Sequence, residues 1–442
     1  MMKSTYYIIT IGCQMNKSDS ERFVACLKNS GLKEVSQRKE ADLVVLNTCG
    51  VRQSAEDRVY GLIPKIKRDN PGVKIILTGC LSQRQDVQQR LGDKVDLWLP
   101  IIDLPLLDRY LDQLFKGKKG EKIKVSSCPN NYLNIRPELR SEFSAFIPIG
   151  NGCNNFCAYC VVPYARGREV YREPEEIITE ARDLISRGYK EIFLIAQNVN
   201  SYKSENFDFP DLLEKINRVE GDFWIRFATS HPKDMSDKLI KVIKKGKKIC
   251  PYIHLPVQSG DNRILKAMNR KYTREHYREL VRRIRKNCDY KEMNSEGDKL
   301  PVSLTTDIIV GFPGETEEKF KNTEKLFKEI NFDMAYIARY SPRPGTVAAE
   351  WRDNVSSQEK KEREEGLMRI LRSSALVNNK KYKGKVVRVL IESKNKKGDY
   401  LGKTSTYKNV KIKPKIKLKE GEFALVKIKS FEDFGLEGEL IY

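Results

Sequence analysis

The chain has 442 residues, enough for about three domains at ~150 residues each, and carries 82 Lys plus Arg against 60 Asp plus Glu, a formal net charge of +22. A hydrophobic fraction of 40% and the lack of any apolar run near ~18 residues argue for a soluble protein and against a helical membrane protein. Ten cysteines, with no leader that reads as a secretion signal, place the chain in a reducing, cytoplasmic setting rather than among disulfide scaffolds.

The amino-terminal hundred residues alternate short β-rich runs, Tyr6–Ile11, Leu43–Leu46 and Val73–Leu77, with helix-like segments around Ser18–Ser30 and Ser54–Arg68. That alternation predicts a doubly wound parallel sheet. A cysteine follows each run, in Gly12-Cys13, Thr48-Cys49-Gly50 and Gly79-Cys80-Leu81. Loops leaving the carboxyl ends of parallel strands gather on one edge, so Cys13, Cys49 and Cys80 are predicted to converge on an iron–sulfur cluster with one open iron. Cysteines are also common inside buried strands, but these three follow their strands. A Lys-, Gly-, Ser- and Asn-rich stretch, Gly117–Asn131, reads as a linker.

Gly152-Cys153-Asn154-Asn155-Phe156-Cys157-Ala158-Tyr159-Cys160 is the most specific signal. Thiolates spaced Cys-x3-Cys-x2-Cys can hold three irons of a four-iron cluster and leave the fourth open to chelate a small molecule. A closed zinc site needs a fourth Cys or His close by; the nearest upstream cysteine is Cys128, and the histidines are His231, His254 and His276. Cys26, Cys128, Cys250 and Cys288 show no ligand spacing.

From Phe143 six β-rich runs alternate with helical stretches: Phe143–Ile149, Glu191–Ala196, Phe223–Ala228, Tyr252–Val257, Pro301–Val310 and Met334–Tyr340. This is a βα repeat of barrel type, whose functional groups come from the carboxyl ends of the strands. The first run leads into the cysteine loop, and the others into polar exits: Gln197-Asn198, Ser230-His231, Gln258-Ser259, Gly311-Phe312 and Ser341-Pro342-Arg343. Such exits suit a ligand with ribose hydroxyls, an adenine edge and an amino-acid end. Gln197, Asn198, Ser230, Gln258 and Gly311, with Asp307 and Tyr340 of the fifth and sixth runs, are the candidate contacts. Glu315 and Glu317 are expected to open the next helix, and His254 to be a packed or hydrogen-bonded strand residue. No catalytic side chain beyond the cluster ligands is expected.

Ser356-Ser357-Gln358-Glu359 reads as a capping box that opens a charged helix with Leu367, Ile370 and Leu371 on one face. From Lys380 to Tyr442 there are 17 Lys plus Arg against 8 Asp plus Glu. Within this segment Val410–Lys419 alternates apolar residues and lysine with period two, which predicts a strand with one packed face and a comb of ammonium groups, Pro414 marking an edge or bend. A polyanion such as RNA is the natural partner.

These motifs together resemble the radical S-adenosylmethionine methylthiotransferases over essentially the whole chain. Gly12-Cys13-Gln14-Met15-Asn16, Asn47-Thr48-Cys49-Gly50-Val51-Arg52 and Val161-Val162-Pro163-Tyr164-Ala165-Arg166-Gly167 are close to the wording of the branch that acts on isopentenyladenosine in tRNA. The resemblance implies an α/β protein with an amino-terminal doubly wound sheet (1–117), a linker (118–140), a partial (βα)6 radical barrel (141–375) and a small carboxy-terminal β-barrel, the TRAM domain (376–442). It implies two 4Fe–4S clusters, one on Cys153, Cys157 and Cys160 that cleaves S-adenosylmethionine, with Tyr159 beside the adenine, and an auxiliary one on Cys13, Cys49 and Cys80. The expected reaction is methylthiolation of C2 of N6-isopentenyladenosine at position 37, with S-adenosylmethionine as methyl donor and radical source. The expected partners are a tRNA anticodon stem-loop and an electron donor such as flavodoxin or ferredoxin, with a monomeric protein and no membrane. The competing expectations within the family are methylthiolation of a ribosomal protein side chain or of threonylcarbamoyl-adenosine in tRNA. Outside it, the competing reading is a redox-sensing RNA-binding protein. Two departures from the family pattern are Tyr171, where a small hydroxyl residue is usual, and an extra loop over 289–299; either is expected to affect RNA docking.

Overall fold

A computed structural model describes residues 4–116, 132–293, 296–413 and 416–441; the expected linker stretch 117–131, Cys128 and Pro414 lie outside the described residues. The chain divides into two compact units. The first comprises Met1–Arg140, Gly150–Arg172 and Ser341–Ala349, and the second Ser141–Ile149, Glu173–Tyr340 and Glu350–Tyr442.

The first unit is built on a parallel sheet. Its elements are β1 (Thr5–Thr10), α1 (Gln14–Asn29), β2 (Lys33–Glu34), β3 (Leu43–Thr48), α2 (Gln53–Asp69), β4 (Lys74–Gly79) and β5 (Leu97–Trp98), with strand order β2-β1-β3-β4-β5. Every residue of β3 is buried, as expected of a central strand covered on both faces, which is why its run is apolar without alternation. Val45 and Ile76 pack with Phe23 and Leu27 on one side of the sheet; Val44 and Leu77 pack with Val59 and Ile63 on the other. β1, β3 and β4 are immediate neighbours, so the three turns that carry cysteines lie side by side.

Helix α1 breaks the usual pattern. Asn16, Ser18, Asp19, Ser20, Glu21 and Arg22 are all buried, and a buried polar face of that size has to be satisfied internally.

In the second unit the six expected runs form six parallel strands: Ser144–Pro148, Glu191–Ile195 and Trp224–Phe227 in one sheet, Tyr252–His254, Ser303–Val310 and Met334–Arg339 in another. A parallel bridge joins the two through Ile225 and Ile249. The fourth strand stops at His254, short of the expected Val257. Ser357–Lys380 forms the long helix, and Ser356 and Glu359 bond reciprocally as the capping box requires. The last strands, Val386–Lys394, Tyr400–Thr404, Asn409–Ile412, Phe423–Phe431 and Leu436–Leu440, close a small barrel.

Two expectations are corrected here. The strand in the lysine comb ends at Ile412: Val410 and Ile412 point into the barrel core, while residues 416–419 lie outside any strand. Glu315 does not open the helix Glu317–Ile330, whose cap is Thr316. It is buried instead, its Oε2 accepting from Gly311 N–H at 2.6 Å and from Arg363 Nη1 at 3.0 Å. In the expected extra loop over 289–299, Lys291 and Asp298 are both tied to the second unit. Lys291 donates to the carbonyls of Gly246 and Ile249 at 2.7 Å each, and Asp298 exchanges backbone and side-chain bonds with Val386, each 2.7 Å long.

The small barrel is fastened to the underside of the strands. Arg226 is fully buried, with Nε on Glu191 Oε1 at 2.5 Å and its two terminal nitrogens on the carbonyls of Ser405 and Thr404 at 2.7 and 2.8 Å. Tyr407 stacks near Tyr252 and Phe193, with ring centroids 4.7 and 6.1 Å away.

Candidate metal centres and cofactor site

Cys13 follows β1 and caps α1. Its Sγ donates to Asn16 Oδ1 at 3.2 Å. Asn16 is buried and donates in turn to Asn47 Oδ1 at 2.7 Å and to the Thr48 carbonyl at 3.0 Å. Asn47 returns bonds to the Asn16 carbonyl and to Ser20 Oγ. This network binds the turn after β1 to the turn after β3, and explains the polar face of α1.

Cys49 and Cys80 are both buried. The Cys80 N–H donates to the Thr48 carbonyl at 2.9 Å. Gly12 is needed here: a Cβ on it would stand 3.0 Å from Cys49 Cβ and 2.6 Å from Asn16 Oδ1. Gly79, at φ +83°, is needed even more, since its Cβ would lie 2.3 Å from the Thr48 carbonyl oxygen. Burial, with the Cys80 and Cys13 thiols next to it, pushes Cys49 up to about 11, partly offset by backbone N–H groups of Val51 and Arg52. Cys13 is the exposed member of the triplet, and desolvation by the protein packed around its thiol raises it too. Metal binding therefore has to displace protons from these thiols, as thiolate ligation always does.

The second triplet lies in the same compact unit. The Cys153 N–H donates to the Gly167 carbonyl at 3.1 Å and the Cys160 N–H to the Cys157 carbonyl at 2.9 Å. Gly152, at φ +83°, leaves its Cβ side filled by the Arg168 carbonyl at 2.0 Å. Burial raises Cys160, with further contributions from the Cys157, Cys153 and Cys80 thiols; burial also raises Cys153. The two triplets approach each other at one glycine. Gly50 stands between them: a Cβ there would meet Cys80 Cβ at 3.3 Å and Val161 Cγ2 at 3.4 Å. Tyr159 is half-buried on the turn between Cys157 and Cys160. Tyr171 packs its ring against Gly150 and donates to Glu169 Oε2 at 2.6 Å, so it closes the cysteine loop.

Among the described residues no three His, Cys, Asp or Glu side chains converge on the position of one metal ion.

The strand exits of the second unit divide by environment. Gln197 Oε1, Asn198 Oδ1 and Ser230 Oγ are buried oxygens without a hydrogen-bond partner, an arrangement that calls for a polar ligand. Gln258 adopts φ +69° and Thr229 φ +67°, strained conformations of the kind found at ligand sites. Asp307 Oδ2 lies 3.4 Å from His254 Nε2, and His254 Nδ1 lies 2.8 Å from Thr305 Oγ1, so His254 is a hydrogen-bonded strand residue. Gly311 is a packing glycine, with the Lys360 side chain 2.2 Å from where its Cβ would be. Tyr340 is buried edge-on against Phe312. At the sixth exit Arg343 turns to the Cys49 loop, with Nη1 on Gln53 Oε1 at 2.7 Å and Nη2 on the Val51 carbonyl at 3.1 Å.

His231, next to Ser230, accepts the Lys233 N–H at Nδ1, 3.2 Å away. Burial, then the Arg270 and Lys233 charges, hold it down to about 2. The unfolded chain takes up a proton below about 6.5 and the folded chain does not, so this stabilisation is complete above that pH and is lost as pH falls, by ~1.4 kcal/mol per unit. Chemical denaturation between pH 6.5 and 4.5 is expected to show a slope that His231→Asn flattens.

The three segments seen in the structure correspond to three known patterns. The radical SAM superfamily matches residues 147–327, the uncharacterized protein family UPF0004 residues 5–100, and the TRAM domain residues 380–441. The tRNA-2-methylthio-N(6)-dimethylallyladenosine synthase of Clostridium botulinum is 42% identical, covering 99% of this chain and 97% of its own length. The chain belongs to that synthase family. The synthase of Carboxydothermus hydrogenoformans is 40% identical over the full length of both proteins. Among solved structures, the radical S-adenosylmethionine methyltransferase TsrM from Kitasatospora setae aligns with a TM-score of 0.56 at 14% identity, covering 79% of this chain and 77% of that one. OxsB, a cobalamin-dependent radical enzyme, aligns at 0.54 and 13%, covering 83% and 56%. These two likenesses are of fold alone. As a member of the synthase family the chain is a radical S-adenosylmethionine methylthiotransferase, with 4Fe–4S clusters and S-adenosylmethionine as cofactors.

The donor set fits: two groups of three thiols for the clusters, and three orphaned buried oxygens for a polar cofactor. Gly79→Ala is expected to wreck the Cys80 turn and halve the iron bound after anaerobic reconstitution; full iron content in that variant would contradict a cluster site there.

Proposed function

We propose that this chain adds a methylthio group to C2 of N6-dimethylallyladenosine at position 37, beside the anticodon of tRNA, with S-adenosylmethionine as both methyl donor and radical source. Family membership over the whole chain carries the reading, and the gathering of two cysteine triplets in one unit supports it. Cys153, Cys157 and Cys160 hold the cluster that binds S-adenosylmethionine; Cys13, Cys49 and Cys80 hold the second. When bound, these cofactors supply the radical and sulfur chemistry that replaces an unactivated C–H bond, beyond the reach of acid–base side chains. The chain itself binds and orients: Tyr159 beside the adenine, and Gln197, Asn198, Ser230, Gln258 and Asp307 as polar contacts to S-adenosylmethionine. Gly311 and Tyr340 complete the candidate contacts.

The working division is a methylthiotransferase segment to residue 117, a linker to 140, the radical barrel to 375 and the TRAM segment beyond it. The protein acts as a cytoplasmic monomer that takes electrons from a flavodoxin or ferredoxin. Methylthiolation of a ribosomal protein or of threonylcarbamoyl-adenosine is not favoured, because the full-length relatives carry the dimethylallyladenosine name.

The TRAM segment offers phosphate contacts at one rim. Lys396, Lys397, Lys417 and Lys419 are exposed, and Tyr400 joins their two loops by accepting the Leu418 N–H at 2.9 Å under Lys394. Lys411 and Lys403 are engaged with Glu437 and Glu392. Alanine at each of the four exposed lysines is expected to reduce the salt slope of tRNA binding by ~0.7–0.9, while Lys411→Ala changes it less.

The deciding experiment reconstitutes the full chain anaerobically with reductant, S-adenosylmethionine and tRNA bearing dimethylallyladenosine, and analyses nucleosides by mass spectrometry. The 2-methylthio nucleoside is expected. Deoxyadenosine release with modification found in ribosomal protein alone would overturn the reading.

A further inference from the structure

The first unit contains a buried ion pair that neither cysteine triplet needs for its own turn. Arg166 Nη2 lies 2.6 Å from Asp19 Oδ2, with the two side chains 2% and 1% exposed. The pair is locked by two more groups. Arg166 Nη1 donates to Asn151 Oδ1 at 3.1 Å, Asn151 Nδ2 donates back to the Arg166 carbonyl at 3.1 Å, and Tyr132 OH donates to Asp19 Oδ1 at 3.1 Å.

Each end of this network is one short step from a cysteine triplet. Asp19 lies on α1, the helix that Cys13 caps, one turn beyond the Asn16 that holds the Cys13 thiol. Arg166 precedes Gly167, whose carbonyl takes the Cys153 N–H, and Asn151 precedes Cys153 by two residues. The short helix Val162–Arg166 also touches the Cys80 turn, where Gln83 Nε2 donates to the Ala165 carbonyl at 3.4 Å.

Burying such a pair for stability alone is poor economy, since desolvation cancels most of its attraction and an apolar pair often serves as well. A planar guanidinium held in a fork fixes direction as well as distance, which a lysine or an apolar contact cannot do. We propose that Arg166, clamped by Asp19, is a positioning residue that sets the Cys153–Cys160 loop relative to the helix beginning at Cys13, and so fixes the relation between the two cluster sites. The inference rests on the functional reading above for what the two sites do, and on geometry alone for their coupling.

The test uses the reconstituted full chain with Arg166→Lys and Asp19→Asn. Both variants are expected to keep their iron and to release deoxyadenosine, but to form ~10- to 100-fold less methylthio nucleoside per deoxyadenosine, as a ~1 Å misplacement of reacting centres does. Tyr132→Phe removes a single hydroxyl from the network; it keeps the test open if either variant fails to fold, and is expected to lower the same ratio to a smaller extent. A second readout needs no turnover: in the full-length apoprotein, amides of 13–20 and 151–167 are expected to lose exchange protection together in the variants, while those of β3 and β4 keep theirs. An unchanged product ratio in a variant with full iron, or exchange that rises evenly through the first unit, overturns the proposal. Should the unaltered chain release deoxyadenosine and yield no methylthio nucleoside, the functional reading fails, and the exchange experiment still decides this one.

Discussion

Replacing Cys13, Cys49 and Cys80 together by alanine is expected to reduce methylthio product at least ~10³-fold, or about 4 kcal/mol in barrier terms, while deoxyadenosine release continues. The fold should survive. Alanine keeps each Cβ, and the turns are held by bonds that do not involve sulfur, such as Cys80 N–H to the Thr48 carbonyl and Asn16 Nδ2 to the same carbonyl. The Cys153 loop is closed independently by Gly167 and Tyr171. Product and deoxyadenosine measured in the same anaerobic reaction separate the two sites. Persistence of methylthio nucleoside in the triple variant would remove the sulfur-handling role from this triplet.

Removing residues 380–442 is expected to unfold the second unit rather than only weaken its hold on RNA. The truncation takes away the Thr404 and Ser405 carbonyls that receive Arg226, the Phe423 ring on Trp224, 4.7 Å between centroids, and Tyr407 from between Phe193 and Tyr252. Arg226 and Glu191 would be left as a buried pair without its other partners. Breaking such a pair by losing one member costs ~3–5 kcal/mol, and Arg226→Ala is expected to lower the stability of the intact chain by that amount. Thermal melts and solubility check both variants; a soluble truncated chain that melts like the whole protein would show that the barrel stands alone. RNA contact is therefore tested by the lysine substitutions and not by deletion.

The regular elements were legible because their signals are local. Runs such as Leu43–Leu46 and Glu191–Ala196 are long enough in β-branched and aliphatic residues to declare a strand, and the capping box at Ser356 declares its helix within four residues. Both cysteine triplets could be singled out as candidate ligands, one from spacing and the other from its place after three strands. The remainder was hidden because it depends on neighbours distant in sequence. Glu315 looked like a helix opener until Arg363, far along the chain, proved to be its partner. Asp298, in the 289–299 loop, gave no local sign that Val386 would be its partner. The polar run in α1 was the one unread signal: Asn16 to Arg22 occupies positions where an ordinary packed helix shows apolar residues.

What the sequence by itself determined is the inventory: which cysteines are candidate ligands, which segments are strands, and which segment is basic. Only the tertiary structure decided which groups share a unit. Gly150–Arg172 follows a strand of the second unit in the chain, yet it belongs to the compact unit of the amino-terminal sheet, where the buried Arg166 charge meets its counter-charge at Asp19. A charge removed from water must be met by whatever partner the fold brings near, and no local pattern states which partner that is.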